Sequence, residues 1–145
     1  MPRSYRMLCP ITRALDRVGD RWTLLILRDL HAGPMRFGDL LSGLPGMASN
    51  LLSSRLEKLI TDDLVERDGP LYKLTYLGER TDNLLWELAK LGFDFPADPA
   101  PKRPGHLRLA AVTLQSALRR AAPPGLELVA ELVLDGEPFS IVATN

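Results

Sequence analysis

Residues Met47–Leu59 read MASNLLSSRLEKL, and this stretch decides the fold because its apolar residues recur with the period of an α-helix. We predict a helix over residues 48–62. Successive residues of an α-helix are rotated by about 100°, so the apolar side chains share one side: Leu52, Leu56, Leu59 and Ile60. The opposite side holds short polar residues and a single acid, Glu57.

Three shorter helices are predicted before this one. Pro10 suits the first turn of a helix over residues 10–18, because the N–H that it lacks would have no helical partner there. Asp20 can cap a second helix over 21–31. This helix turns four apolar side chains inward: Trp22, Leu25, Ile26 and Leu30. A third, short helix over 37–41 ends in the turn SGLPG, residues 42–46.

A hairpin and a long helix follow. The segments LVER and LYKLT alternate in polarity on either side of Asp68-Gly69-Pro70, which predicts two strands joined by a tight turn. Thr75 can then cap a helix over residues 76–91. This order of elements is that of a winged helix-turn-helix, in which the helix over 48–62 takes the recognition position.

The sequence divides into three parts. Residues 1–95 are predicted to form a winged helix-turn-helix domain that is mainly α with a small β-wing. Residues 96–105, PADPAPKRPG, form a linker by their prolines. Residues 106–145 are predicted to form a C-terminal extension, a helix followed by a β-hairpin whose turn is Asp135-Gly136.

In the recognition position, the polar side of the helix predicts contact with double-stranded DNA. Short side chains let a helix enter the major groove deeply, and an asparagine can form paired hydrogen bonds with adenine. The residues with these properties are Ser49, Asn50, Ser53 and Ser54. Cations contact phosphates, and the candidates are Arg36, Arg55, Lys58, Arg67 and Lys73. For each of these residues taken alone, an ordinary solvated surface is the alternative.

The charges are unevenly distributed along the chain. The net charge is zero, with 18 basic and 18 acidic residues, but bases predominate up to Arg28 and only acids occur from Glu127 onward.

The composition excludes several classes of protein. No run approaches the roughly 20 apolar residues of a membrane span, and one cysteine cannot form an internal disulfide, which fits the cytoplasm. The two histidines lack companions at ligand spacing, so we expect no metal. With no cofactor motif and no catalytic set, an enzyme is not expected.

The chain resembles the HxlR family of bacterial winged-helix regulators, which are MarR-like. The resemblance covers roughly residues 9–91. It rests on Cys9-Pro10, the Gly19/Trp22 pair, Arg36-Phe37, Leu44-Pro45-Gly46, Arg55-Leu56, and Leu74-Thr75 followed by Gly78. The chain departs from the family at Asp63, where glycine is frequent, at Tyr76, where proline is usual, and at Leu91–Phe95, where the family tends to have a Trp-Gly pair.

The resemblance implies a transcriptional regulator, more often a repressor than an activator, that binds a near-palindromic operator as a homodimer. The family's dimer contacts come from segments that correspond to residues 7–18 and 76–91. Two-fold symmetry also suits two recognition helices placed one DNA turn apart. The alternative function is a winged-helix protein-interaction module that does not bind DNA, and its binding would depend only weakly on salt.

In several members of the family, a cysteine at the position of Cys9 senses thiol-reactive compounds or oxidants, which implies a small-molecule or oxidant effector. This chemistry needs a thiolate. Arg6, Arg13 and the N-terminus of the first helix are candidates for lowering the pKa of Cys9. A half-buried structural cysteine beside the dimer interface is the alternative.

The extension over 106–145 has an amphipathic helix and a strongly apolar hairpin. A two-stranded hairpin is marginal by itself in water. We therefore expect it to pack on a partner subunit, on the winged helix, or on residues beyond Asn145. Its pattern faintly resembles the start of a sterol-carrier-like domain, which implies a longer natural chain. Reinforcement of a dimer and an apolar effector pocket are the two roles that remain open.

Overall fold

The computed structural model describes residues 4–96, 106–134 and 137–144. Most of the predicted linker over 96–105 and the predicted turn at Asp135-Gly136 lie outside these residues. The helices are α1 (Pro10–Val18), α2 (Thr23–Leu30), α3 (Phe37–Gly43), α4 (Ser49–Thr61), α5 (Tyr76–Glu79), α6 (Thr81–Phe93) and α7 (His106–Ala121). The strands are β1 (Met35–Arg36), β2 (Val65–Asp68), β3 (Leu71–Leu74), β4 (Glu127–Leu134) and β5 (Glu137–Thr144).

The chain forms two compact units, a first unit over Met1–Thr81 and a second unit over Asp82–Asn145. The division falls nearer the N-terminus than the predicted boundary after residue 95, so that most of α6 groups with the C-terminal elements. Among the described helices, none is both long and apolar enough to cross a membrane.

The helices before the wing agree closely with the sequence prediction. α1 has the predicted bounds, with Pro10 at its start, and α4 lies within the predicted 48–62. α2 begins at Thr23, two residues later than predicted, because Asp20 accepts hydrogen bonds from the N–H groups of Trp22 and Thr23. These bonds hold the two preceding residues in a turn.

The wing is an antiparallel sheet of three strands in the order β1-β3-β2. β2 pairs with β3 from Val65↔Leu74 to Asp68↔Leu71. In the turn between them Gly69 has a φ of +57°, a conformation that glycine adopts without steric cost. β1 pairs with β3 through Met35↔Tyr72 and Arg36↔Leu71. The sequence did not predict β1 because two residues are too few to show a strand period.

The prediction of one helix over 76–91 is wrong, since the structure divides this segment into α5 and α6 at Arg80. Thr75 does cap α5, because its hydroxyl accepts a hydrogen bond from the N–H of Gly78 at 3.0 Å. The hydroxyl of Thr81 then donates to the carbonyl of Gly78 at 2.7 Å. A side-chain hydroxyl that binds a helical carbonyl competes with continuation of the helix.

The apolar core of the first unit lies among its helices and the wing. Its buried apolar residues are Val18, Ile26, Leu27, Leu30, Met35, Leu40, Leu44, Met47, Leu52, Leu56, Leu59, Leu64, Val65 and Leu74. α2 differs from the prediction, because Leu27 is fully buried whereas Trp22 and Leu25 are only half-buried. α2 packs against both α3 and β3, so it is covered on more than the one side that the sequence indicated.

In the second unit, α7 contacts the hairpin of β4 and β5. α7 packs on β5, and Gln115 Nε2 donates to the carbonyl of Val142 at 2.9 Å. The hairpin pairs Val129 with Val142 and Leu132 with Phe139. Among the described side chains of this unit, none is buried. The unit therefore lacks, in its described part, the enclosed apolar core that the first unit has.

Candidate nucleic-acid interface

The helix α4 is held by its apolar side and presents its polar side outward. Leu52, Leu56 and Leu59 are each at most 1% exposed, so they fix the rotation of the helix about its axis. Ile60 lies at the edge of that side and is exposed. The four short polar residues of the opposite side are all exposed, as the sequence predicted: Ser49, Asn50, Ser53 and Ser54.

The start of α4 leaves polar groups at the surface. Ala48 occupies the N-cap position and offers no side-chain acceptor to the first N–H groups of the helix. Asn50 Oδ1 accepts a hydrogen bond from the N–H of Leu51 at 2.9 Å, which orients the amide. No described residue accepts a hydrogen bond from the NH₂ group of Asn50, so this donor pair is available to a base edge.

Arg55 lies on the flank of the same helix and is half-buried. Its Nε is 2.8 Å from Oδ2 of Asp20, in the segment between α1 and α2. The two atoms form an ion pair without a well-directed hydrogen bond, because Arg55 Nε makes no hydrogen bond within the described residues. The sequence predicted a phosphate contact for Arg55, and the structure adds an acidic partner inside the protein.

Lys58 is turned toward the C-terminal end of α4. Its Nζ lies 2.6 Å from Oδ2 of Asp62, one turn further along the helix, and 3.4 Å from the carbonyl oxygen of Arg17 at the end of α1. Arg17 Nε is 3.7 Å from the other carboxylate oxygen of Asp62. To contact a phosphate, Lys58 would have to leave this cluster.

The cations Arg67 and Lys73 both have partners within the wing. Lys73 Nζ lies 3.2 Å from Asp68 and 3.3 Å from Glu66. Hydrogen bonds to Asp68 and then to Glu66 raise the pKa of Lys73 above its usual value, so the ammonium stays charged. Arg67 lies over the ring of Tyr72, with its guanidinium carbon 5.5 Å from the ring centroid, and its Nε donates to the carbonyl of Gly69 at 3.2 Å.

Arg36, the remaining predicted phosphate contact, is exposed at the N-cap position of α3. Its backbone N–H donates to Oδ2 of Asp39 at 3.4 Å, which closes the first turn of that helix. The structure therefore places the predicted residues on four elements. The four short polar residues, Arg55 and Lys58 lie on α4. Arg36 ends β1, and the wing cations Arg67 and Lys73 lie on β2 and β3.

Sequence reasoning missed the acids that pair with these cations, Asp20 and Asp62. The Lys58–Asp62 pair had a visible signal, because residues four apart on a helix are neighbours. The Asp20–Arg55 pair had none, since its members are far apart in sequence and lie on different elements.

Cys9 occupies the N-cap position of α1 and is half-buried. The backbone N–H groups of Thr12 and then of Ile11 lower the pKa of the Cys9 thiol below its usual value, against a smaller opposing effect of burial. The helix N-terminus therefore acts on the sulfur as predicted, because its N–H groups favour the thiolate. The arginines Arg6 and Arg13 were the wrong source, since the shift comes from the amides of the first turn.

The described residues contain no group of three or more His, Cys, Asp or Glu side chains that could hold a metal ion.

Comparisons with known proteins identify the family of the chain. The family model for the HxlR-like helix-turn-helix matches residues 17–98, more than half of the chain. The HTH-type transcriptional regulator sll1512 of Synechocystis sp. is 35% identical over 95 residues, which cover 61% of this chain and 70% of that protein. The HTH-type transcriptional regulator Rv3095 of Mycobacterium tuberculosis is 49% identical over 57 residues, which cover 39% of this chain and 35% of that protein.

Among solved structures, the quinone-bound form of YodB from Bacillus subtilis is similar to this chain, with a TM-score of 0.56 and 31% identity. The match covers 60% of this chain and 100% of YodB. These relatives are regulators, which confirms the prediction that the chain is not an enzyme. The C-terminal extension over 106–145 lies outside the matched family segment.

Proposed function

This chain belongs to the HxlR-like helix-turn-helix family of transcriptional regulators, and from that premise we propose that it acts in the cytoplasm as a homodimeric repressor on a near-palindromic operator. The observation that carries the proposal is the exposed polar face of α4, fixed outward by three fully buried leucines on the other side. A rigid helix with short outward side chains is what entry into the major groove requires.

In this proposal different residues of α4 contact the bases and the phosphates of the DNA. Asn50, oriented by its hydrogen bond to the N–H of Leu51, directs its NH₂ group to a base edge. The bases or the neighbouring phosphates lie close to Ser49, Ser53 and Ser54. Arg55 contacts a phosphate through its two Nη nitrogens. Base contacts set the sequence preference, whereas phosphate contacts set the register of the helix on the duplex.

The other cations contribute to DNA binding at the edges of the site. We assign Arg36, Lys58, Arg67 and Lys73 to phosphates that flank the site. Lys58 and Lys73 exchange a carboxylate partner for a phosphate when DNA arrives. This exchange costs little, because partly exposed ion pairs typically contribute about 0–1 kcal/mol to stability.

Two exposed apolar stripes support the homodimer. The first stripe consists of Ile11 and Leu15 on α1 together with Leu8, which precedes Cys9. All three are exposed, and Leu8 is fully exposed. On α6, Leu84, Leu88 and Leu91 recur at helical spacing and are each at least 42% exposed. Contiguous exposed apolar side chains mark interaction surfaces, and these stripes lie within the two segments that the family uses for dimerisation.

We further propose that Cys9 makes the regulator responsive to an oxidant or an electrophile such as a quinone. Support comes from the lowered pKa of its thiol and from the similarity to YodB, whose structure has been solved with quinone bound. A modified Cys9 changes DNA affinity only if it favours one arrangement of the dimer over another, because an effector shifts an equilibrium by its differential affinity.

The test is binding to a duplex from the region upstream of its own gene, measured by fluorescence anisotropy at several salt concentrations. Replacing Asn50 with Ala is expected to cost about 1–3 kcal/mol on the preferred sequence and to change which base is favoured. The matched control is Ser42→Ala, an exposed serine on α3, which should bind as the unaltered protein does. Binding that is independent of salt and unchanged by Asn50→Ala would instead support a protein-interaction module.

The effector is tested on the same duplex. Treatment with diamide or a benzoquinone should lower the affinity of the unaltered protein and leave Cys9→Ser unaffected. Equal loss of binding in both proteins would show that the effect does not pass through Cys9.

A further inference from the structure

We propose that Asp20 is a positioning residue for DNA recognition, which holds the Nε edge of Arg55 so that the opposite edge of the guanidinium meets a phosphate in a single geometry. The inference rests on the proposed DNA-binding function. It assigns a role in DNA binding to Asp20, which lies outside the recognition helix. By its charge alone, this acid would repel DNA.

Asp20 is itself held firmly. Its Oδ1 accepts hydrogen bonds from the N–H groups of Trp22 at 2.8 Å and Thr23 at 3.1 Å, and its Oδ2 accepts one from the hydroxyl of Thr23. Partial burial opposes the charged form, but these hydrogen bonds and the charge of Arg55 keep the pKa of Asp20 below its usual value. The carboxylate is thus a fixed, ionised anchor at the start of α2.

The guanidinium of Arg55 has two usable edges. It is planar and carries five N–H donors. Its Nε is enclosed and lies 2.8 Å from Asp20 Oδ2. In the part of the chain that the structure describes, no residue accepts a hydrogen bond from the two Nη nitrogens of Arg55. These nitrogens form the other edge of the group, and the ion pair at the enclosed Nε limits the positions that this edge can take.

The pair has an electrostatic consequence for specificity. An arginine free to move attracts any phosphate, which adds to binding on every sequence. With Asp20 beside it, the net charge of the pair is zero, so the general attraction is weaker. A phosphate gains full benefit only where it meets the oriented Nη edge. Asp20 therefore raises the ratio of operator affinity to non-specific affinity, and it does so by lowering the non-specific part.

Lys58 and Asp62 offer a contrast on the same helix. The lysine has one compact nitrogen, which already lies 2.6 Å from Asp62 and 3.4 Å from the carbonyl of Arg17. An ammonium has no second edge that such contacts could orient. On this helix, the arginine is the cation that keeps a second, planar edge for a phosphate while it contacts an internal acid.

The experiment compares the full-length protein with Asp20→Asn, Arg55→Lys and the double variant. The probes are the upstream duplex and a duplex of the same bases in shuffled order. Asparagine keeps the acceptor for the N–H groups of Trp22 and Thr23 but removes the charge. Asp20→Asn should therefore bind the shuffled duplex more tightly, with a salt slope steeper by up to about 0.9, and the affinity ratio should fall about fivefold.

Arg55→Lys keeps the positive charge and lacks the second edge, so it should also lower the ratio. Adding Asp20→Asn to Arg55→Lys should then change the ratio little, because the two residues act together. The control Glu87→Gln removes one negative charge from an exposed ion pair with Lys90 on α6, and it should leave the ratio unchanged. A purely structural Asp20 would lower the melting temperature without moving the salt slope.

Three outcomes decide the matter. A ratio that falls in Asp20→Asn but not in Glu87→Gln supports the inference. A ratio that stays within twofold in Asp20→Asn, while the unaltered protein prefers the upstream duplex, overturns the role of Asp20 and leaves the proposed function intact. Failure of the unaltered protein to prefer the upstream duplex to the shuffled one removes the proposed function and this inference with it.

Discussion

The two units of the chain bury their apolar residues very differently. The first unit encloses a continuous set of leucines, isoleucine, valines and methionines, several of them without any exposure. In the second unit, none of the described side chains is buried, and α6 carries Leu84, Leu88 and Leu91 at its surface. Burial of apolar area is the main favourable term in folding, so the first unit has its own source of stability.

The described contacts between α6 and α7 in the second unit include several directed polar ones. Arg120 of α7 lies 2.8 Å from Asp82, donates to Asn83 Oδ1 at 2.7 Å, and places its guanidinium carbon 5.2 Å from the centroid of the Trp86 ring. Such contacts fix the arrangement of helices but each contributes little net stability. The comparison teaches that α4 packs on a core enclosed within its own unit, whereas α6 presents one of the two apolar stripes that a second subunit is proposed to cover.

The largest expected effect comes from matched leucines in the two units. Leu56→Ala removes a side chain that is 1% exposed and should lower the free energy of unfolding by about 3 kcal/mol. Leu88→Ala removes one that is 42% exposed and should cost less than about 1 kcal/mol in dilute protein. Urea unfolding at two protein concentrations measures both. An equally large loss for Leu88→Ala at the lower concentration would break the comparison.

A smaller effect is expected from two helical glycines. A Cβ at Gly78 would lie 2.0 Å from the carbonyl oxygen of Leu64, so Gly78→Ala should destabilise the first unit by about 1–3 kcal/mol. A Cβ at Gly92 on α6 would meet nothing within 4 Å, and alanine is the better helix former by about 1 kcal/mol. Gly92→Ala should therefore stabilise α6. Thermal unfolding followed by circular dichroism measures the change in melting temperature of both variants. A lower melting temperature for Gly92→Ala would show that a neighbour packs against Gly92.

The smallest effect sharpens the description of the second unit. Arg120→Ala should lower the free energy of local opening of α7 by about 1 kcal/mol, because three contacts to α6 are lost together. Arg119→Ala, an exposed neighbour, is the matched control and should stay within about 0.5 kcal/mol. Native-state hydrogen exchange of the α7 amides measures the difference. Equal protection in both variants would mean that other contacts join the two helices.

Most of the fold was predictable from local sequence signals. Pro10, the turn at Gly69 and the cap at Thr75 each set one element boundary, and all three stand where the sequence placed them. The break at Arg80 was not predictable from periodicity, because it depends on a bond from the Thr81 hydroxyl to the carbonyl of Gly78. The burial of Leu27 likewise depends on α2 being covered by both α3 and β3.

The candidate interface was predictable only in part. The exposure of Ser49, Asn50, Ser53 and Ser54 followed from the helical period alone. The acidic partners of Arg55 and Lys73 did not follow from the sequence, since a sequence gives the number of charges but not the distances between them. Lys73, predicted as a phosphate contact, proves to lie between Glu66 and Asp68, and at such short range an acid of the protein competes with a phosphate.

By itself, the sequence determined which residues of α4 share a side, and hence which face points away from the core. Periodicity and end signals act between near neighbours in the chain, so they can be read without a fold. Only the tertiary structure decided that Asp20 meets Arg55, that Lys58 reaches the carbonyl of Arg17, and that α6 keeps its leucines at the surface. Charge interactions and burial depend on distances in space, and those distances exist only once the chain has folded.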